Sequence, residues 1–405
     1  MIIPVINCGS SSIKYQLLDM KSDDVYFLLA KGILERIGMP MSKLTHKPTG
    51  KDPLVLEMPV SDHKVGMKLV LDTLIDPVHG VIGSFADIDA VGHRIVQGAE
   101  YFSGSVIVDD DVIDKIRICC DYAPLHNPAH LLGIEAVSNV LPEITQVVTF
   151  DTAFHQTMEP AAYMYALPYE YYSKYRVRRY GAHGTSHLYV SHEGAAFAGI
   201  DINNSKIITC HIGNGSSVTA IKNGKSVDTS MGFTPLEGMI MGTRCGTMDP
   251  NVVTYLMKKE GLTPDQMTDI MNKKSGFLGM SEGVTSDCRD LVDRREAGDK
   301  RAKLILDKLV LDITKLVGGY IAEMNGVDLI VFTAGIAENN PWIRRDVCAN
   351  FGYMGIEIDE EVNAKARRDN AIISTPASKV KVAMIPTDEE LVIARDTMHL
   401  AEGRK

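Results

Sequence analysis

Residues 1–17 and 206–222 carry the same short pattern, and the repeat limits what the chain can fold into. In the first copy the apolar run Met1 to Ile6 reads as a strand and Asn7 to Ser12 as a tight turn of small polar residues. Ile13, Tyr15 and Leu17 then alternate with Lys14 and Gln16 at the period of a half-buried strand. In the second copy an apolar strand meets a turn from Gly213 to Ser217, followed by alternation at Val218, Ala220 and Lys222. A P-loop would instead run strand, loop, helix and would end in Gly-Lys-Ser/Thr, which is absent. The first turn still offers a phosphate what it needs: three hydroxyls, unhindered N–H groups near Gly9 and the Lys14 ammonium. Asn7 adds a neutral oxygen suited to a metal-bound water. Alone, either copy is equally an ordinary hairpin. Recurrence across roughly half the chain predicts duplicated domains, each presenting one phosphate-facing hairpin, with a nucleotide's phosphate chain held by both.

With 405 residues the chain is long enough for two domains with cores of their own. Its apolar (45%) and charged (23%) fractions are those of a globular protein, and a net charge of −10 speaks against an extended nucleic-acid-binding face. No stretch approaches the ~20 apolar residues of a membrane helix, and no basic leader precedes the first strand. The seven cysteines are scattered and form no Cys-x-x-Cys pair, the pattern of reduced thiols in a cytosol. One local basic cluster, Arg176, Arg178 and Arg179, is either a solvated face or an anion-attracting rim beside Gly181 to Gly184; its position favours the rim.

Along the chain, Ile88 to Val91 reads as a buried strand with Gly92-His93-Arg94 leaving its C-terminal end, where open α/β sheets bind ligands. Arg94 there suits capture of a carboxylate or phosphate. A helix is expected to open near Asn127-Pro128, with Asn127 as cap and His126 beside its exposed N–H groups. His126 and His130 are four apart, but Pro128 between them and the absent His-Glu-x-x-His pattern argue against zinc. Thr145 to Phe150 is a strand ending in Asp151, either a metal-side acid or a helix cap. His183 lies between glycines, in a setting poor for packing and good for ligand contact. Residues 228–250 form a long Gly/Pro-punctuated loop that holds Arg244, and loops of this kind are usually functional. Val327 to Phe332 is a buried strand followed by a small-residue turn, Thr333 to Asn339, and a helix, a nucleotide-binding geometry. A last helix begins at Glu389-Glu390, which either cap it or face a metal.

Read together, Asn7-x-Gly-Ser-Ser-Ser-x-Lys14, Gly92-His93-Arg94, Arg179-Tyr180-Gly181-x-His183-Gly184-Thr185-Ser186-His187, His211-x-Gly213-Asn214-Gly215, Met231-Gly232-x-Thr234-Pro235-Leu236-Glu237-Gly238 and Gly242-Thr243-Arg244 resemble the acetate kinase family in content and order. The resemblance covers essentially the whole chain. It implies an α/β, duplicated actin-like (ribonuclease H-like) two-domain fold with an interdomain active-site cleft. The N-terminal domain would span 1–150, completed by the C-terminal helix 387–405, and the C-terminal domain 151–386. It implies reversible transfer of the ATP γ-phosphoryl group to acetate, with Mg²⁺ or Mn²⁺, in a cytoplasmic homodimer that engages neither nucleic acid nor membrane.

Carried over by position, the resemblance gives Asn7 and Glu389 to the metal, and Ser12 and Lys14 to the nucleotide phosphates. Arg94 takes the substrate carboxylate, and Val96, Leu125 and Pro235 line the acyl pocket. His126, His183 and Arg244 surround the transferring group, with Asp151 beside the metal. His211, Ile212, Gly213, Asn214 and Gly215, then Asp287, Cys288 and Arg289, then Gly335, Ile336, Ala337, Glu338 and Asn339 line the nucleotide.

The chemistry agrees with these residue types. Acetate is already ionised at pH 7, so the difficulty is bringing one anion onto another rather than removing a proton. Ala182 stands where the family often has Phe, which predicts a roomier acyl pocket and makes a propionate or other short-chain carboxylate kinase the nearest alternative. Thr247, Ala337 and Glu282 are further departures, none at a catalytic group. An actin-like assembly or chaperone ATPase would use the same hairpins but leaves Arg94, His183 and Arg244 without a purpose.

Overall fold

The computed structural model describes residues 1–403; residues 404 and 405, included in the expected final helix, lie outside the described residues. The chain divides into two compact units, Met1–Gln156 with Asp388–Lys405, and Thr157–Thr387.

The first unit is built on an eight-stranded sheet of β1 (Ile2–Gly9), β2 (Ser12–Met20), β3 (Tyr26–Glu35), β4 (Ser42–Pro48), β5 (Leu54–Met58), β6 (Ala90–Ile95), β7 (Val106–Ile107) and β8 (Thr145–Phe150), in the order β5-β4-β3-β2-β1-β6-β8-β7. The β1–β2 hairpin is tighter than the sequence suggested. Gly9 pairs with Ser12, so the turn is Ser10-Ser11 alone, and Asn7 lies within β1 opposite Lys14. The alternation holds: Ile13, Tyr15 and Leu17 are buried and Lys14 is exposed. Gly92, His93 and Arg94 lie within β6 rather than beyond it, because β6 continues its parallel pairing with β8 through Ile95.

The two faces of this sheet are covered differently. Cys8 faces the helix Asn127–Val140, where a Cβ on Gly133 would strike its sulfur at 2.6 Å. The opposite face carries Val5, its parallel partner Gly92, and by the two-residue period Asn7 and Arg94. The helix Glu389–Ala401 covers that face, so closely that a Cβ on Gly92 would meet Ile393 at 2.6 Å. Strand parity therefore places Asn7, Arg94 and the start of the last helix on one side of the sheet.

The second unit holds six strands, β9 (Lys206–Ile212), β10 (Ser216–Lys222), β11 (Lys225–Thr229), β12 (Leu329–Thr333), β13 (Ala371–Ile372) and β14 (Lys381–Met384), ordered β11-β10-β9-β12-β14-β13. Its core packs Ile208, Cys210 and Val218 with Ile330 and Phe332 of β12 against Leu309, Ile313 and Val317 of the helix Lys300–Met324. The other face of β12 takes the helix Gly184–Ala198, with Gly194 against Val331. The run β3-β2-β1-β6-β8 of the first sheet and β11-β10-β9-β12-β14 of the second share strand order and direction: a hairpin with a third antiparallel strand, then two strands parallel to the first. The repeated motif is thus the visible end of a repeated topology.

Two local readings change. His126, not Asn127, is the residue before the helix Asn127–Val140; the Asn127 amide instead donates to the Gln97 carbonyl at 2.8 Å, a link to a residue 30 positions away. Residues 335–339 are not a turn but part of a short helix, Ala334–Asn339, entered through Ala334 at φ +67°. Among the described residues no helix is long and apolar enough to cross a membrane, and all seven cysteines are free thiols.

Candidate active site

In the first unit the named side chains gather at the C-terminal end of β6 and β8. Arg94 donates from Nε to Asp151 Oδ1 at 3.0 Å and from Nη2 to Asp151 Oδ2 at 2.6 Å, a two-pronged pair with Asp151 only 1% exposed. Burial pushes the Asp151 carboxyl up, Arg94 draws it down, and the charge of Glu389 raises it again. Burial opposes the Arg94 charge as well, but Asp151 and Glu389 outweigh it and hold the guanidinium protonated. Burial and Glu389 likewise raise the neighbouring Glu390 carboxyl. Three acids thus crowd one arginine, and Glu389 Oε1 is buried without a hydrogen-bond partner among the described residues. A cation suits such a place, since an ionised carboxylate oxygen kept from water and left unpaired is costly. Asn7, on the same face, makes no hydrogen bond through its side chain among the described residues, and Lys14 extends from β2 without an ion pair. No group of three or more His, Cys, Asp or Glu arranged for a metal occurs among the described residues. A metal here would be held by few protein oxygens and complete its shell with water, as Mg²⁺ does. Val96 is buried, while Leu125 is half exposed.

In the second unit the β9–β10 turn is the floor. His183, in the left-handed region at φ 55°, precedes the helix Gly184–Ala198, and its ring stacks on His211 with centroids 4.2 Å apart. A Cβ on Gly215 would come within 3.4 Å of both His183 Nε2 and Arg244 Nη1, so both groups lie over that glycine. Arg244 is held by dipoles: Nη1 donates to the Pro235 carbonyl at 3.0 Å and approaches Met241 Sδ at 3.7 Å. No carboxylate pairs with it among the described residues, and burial alone lowers its pKa. A half-buried, uncompensated guanidinium beside an imidazole is a receptor for an anion.

The histidines are fixed by hydroxyls that the sequence reading passed over. His183 Nδ1 shares a 2.8 Å hydrogen bond with Ser217, which also lies 2.7 Å from His187 Nε2; His211 Nδ1 shares one with Ser186, itself bonded to Thr387. The signal was present in the Ser216-Ser217 step of the second hairpin, where Ser217 stands opposite His211.

The other named segments adjoin this floor. Asn214 packs on Gly242, where a Cβ would meet its Oδ1 at 2.1 Å, and Ala334 lies 3.7 Å from the Cβ position of Gly213. Glu338 accepts from the Ala334 N–H at 2.8 Å, and Asn339 Nδ2 donates to the Gly335 carbonyl. Asp287 caps the helix Cys288–Glu296 and pairs with exposed Arg289 at 2.6 Å. The Cys288 and Ala337 side chains face the core, and Ile336 packs against it, so ligand contacts from these positions would be made by backbone.

Two expectations shift here. The Arg176–Arg179 cluster is not an anion rim: Arg179 bonds Glu237 at 2.9 Å, and the Arg178 guanidinium lies 3.5 Å from the Tyr163 ring centre. Ala182 opens no space at its own position; it is 1% exposed and packs with Met231 and Met241.

The sequence model of the acetokinase family matches residues 2–395. An acetate kinase of Thermosipho africanus is 54% identical over 403 residues, 99% of this chain and 98% of that protein. The crystal structure of Porphyromonas gingivalis acetate kinase superposes with a TM-score of 0.93 at 48% identity, over 98% of this chain and 99% of that one. A propionate kinase from Francisella tularensis subsp. tularensis SCHU S4 gives 0.91 at 38% identity, over 98% and 99%.

Proposed function

The chain belongs to the acetokinase family and has its duplicated actin-like α/β fold, and from that premise we propose that it transfers the γ-phosphoryl group of ATP to acetate, giving acetyl phosphate and ADP, reversibly. The observation that carries the reading is the Arg244 guanidinium, half-buried over the Gly215 turn beside His183 with no carboxylate partner among the described residues. Such a charge is complementary to a phosphoryl group whose equatorial oxygens gain charge in transfer.

The two units correspond to the two actin-like domains and divide the work. In the second, Arg244 and His183 attend the transferred group, and residues 211–215, 287–289 and 335–339 line the nucleotide. In the first, Lys14 and Ser12 meet the phosphates, Arg94 takes the acceptor carboxylate, His126 neutralises charge near it, and Val96 and Leu125 line the side of the methyl group. Asp151 occupies the Nε–Nη2 edge of Arg94 and so leaves Nη1 for the acceptor. Its role is orientation, not proton transfer, because acetate arrives without a proton to remove. Asn7 and Glu389 would hold Mg²⁺ through its waters; when bound, that ion offsets phosphate charge that the side chains do not. The enzyme would act as a homodimer in the cytosol, where free thiols such as its seven persist.

Trapping the product with hydroxylamine, across acetate, propionate and butyrate and across ATP and other donors, tests the reading. We expect acyl hydroxamate from ATP and acetate with the highest kcat/KM. Preference for propionate would move the assignment to the neighbouring activity, and no acyl phosphate from any acid would end it.

A further inference from the structure

The motif Met231 to Gly238 has a glutamate that the reaction above does not use. Residues 230–249 contain no strand or helix, so no ladder of backbone bonds fixes them. Scattered backbone bonds, such as those from Ser230 N–H to the Val218 carbonyl and from Thr247 N–H to the Gly238 carbonyl, hold the ends of the stretch, and side chains tie what lies between. Glu237 Oε1 accepts from Arg179 Nη2 at 2.9 Å, and its Oε2 accepts from the Tyr165 hydroxyl at 2.6 Å. Tyr165 Oη in turn accepts the Phe233 N–H at 2.9 Å, and Arg179 Nη1 donates to the carbonyls of Thr229 at 2.7 Å and Met231 at 3.2 Å. The pieces close on Gly232, where a Cβ would lie 1.8 Å from Glu237 Oε2 and 2.2 Å from Tyr165 Oη. The Gly232 carbonyl accepts from the N–H groups of Tyr180 and Gly181, two residues short of His183. Inside this clamp sits Pro235, whose carbonyl receives Arg244 Nη1 at 3.0 Å.

We propose that Glu237 and Tyr165 are positioning residues for Arg244: they fold residues 229–238 so that the Pro235 carbonyl aims the guanidinium. The inference rests on the reading that Arg244 attends the transferred phosphoryl group. An arginine bound by no carboxylate depends on carbonyl placement for its direction, and a displacement of about 1 Å at such a group can cost on the order of a hundredfold in rate.

The test is a double-mutant cycle on the full chain, with Glu237→Gln and Tyr165→Phe each made alone and with Arg244→Ala, reading kcat and both KM values. Each single clamp variant should lower kcat roughly 10- to 100-fold while KM for acetate and ATP changes less than about threefold. In the Arg244→Ala background the same changes should cost less than about twofold, because the group they aim is gone. Tyr165→Phe removes one hydroxyl and keeps the ring, so it carries the test should Glu237→Gln fail to fold. Equal losses in both backgrounds, or a raised KM with unchanged kcat, would overturn the positioning role alone. Near-full turnover of Arg244→Ala by itself would instead remove Arg244 from the reaction, and the proposal with it.

Discussion

The two arginines at the centre of the proposal are stabilised in opposite ways. Arg94 is locked by both oxygens of a buried aspartate, whereas Arg244 is met, among the described residues, by a carbonyl and a thioether. The first arrangement spends most of the charge on orientation and fixes one edge of the guanidinium. The second leaves the charge whole, at the cost of burying it unpaired. An acceptor carboxylate must be held at one angle, which suits the rigid pair. A phosphoryl group that gains charge as it moves needs charge still available, which suits the uncompensated arginine.

The sharpest way to break this contrast is Arg244→Ala. Turnover should fall by roughly 10³–10⁵, the range for arginines at transferring phosphoryl groups. Urea unfolding should show little loss of stability, since a buried unpaired charge is removed. Arg94→Ala should also abolish turnover, but it strands Asp151 and should cost about 3–5 kcal/mol of stability, read from the urea midpoint. Equal stability losses in the two variants would dissolve the comparison.

A middle-sized effect concerns the histidines behind Arg94. Burial lowers His130 to about 3, helped by the Arg94 charge, and lowers His93 to about 4 against a hydrogen bond to Gln146. The unfolded chain takes up these protons near pH 6.5 and the folded chain does not. Stability from them is therefore full above that pH and is lost as pH falls toward 4 and then 3. Each should cost the protein about 2 kcal/mol at pH 5 relative to pH 7.5. Denaturant curves of His130→Gln over that span should show a shallower acid limb than the wild type; parallel limbs would contradict the assignment.

The smallest effect belongs to Arg289, whose pair with Asp287 is exposed. Arg289→Ala should change stability by less than about 1 kcal/mol, while KM for ATP rises if the 287–289 segment lines the nucleotide. An unchanged KM would take this side chain out of the site.

Both hairpins and the strand ending at Phe150 were legible because a period of two and small polar turns are written in adjacent residues. Asp151 and Arg94 could each be singled out, yet their pairing spans 57 positions and no local pattern encodes it. The Arg179 misreading has the same origin. Three arginines in four residues look like a free basic face until a glutamate 58 residues on, brought round by the loop, absorbs one of them. Ser217 stands in the second hairpin, but its hydrogen bonds to His183 and His187, like those of Tyr165, depend on residues far along the chain.

By itself, then, the sequence determined the elements and the duplication, since backbone preference and burial period act over a few neighbours. Tertiary structure alone decided which charges are spent and which remain open. Whether a guanidinium meets an acid, a carbonyl or nothing depends on which distant segment packs beside it, and in a low-dielectric interior that neighbour sets its chemistry.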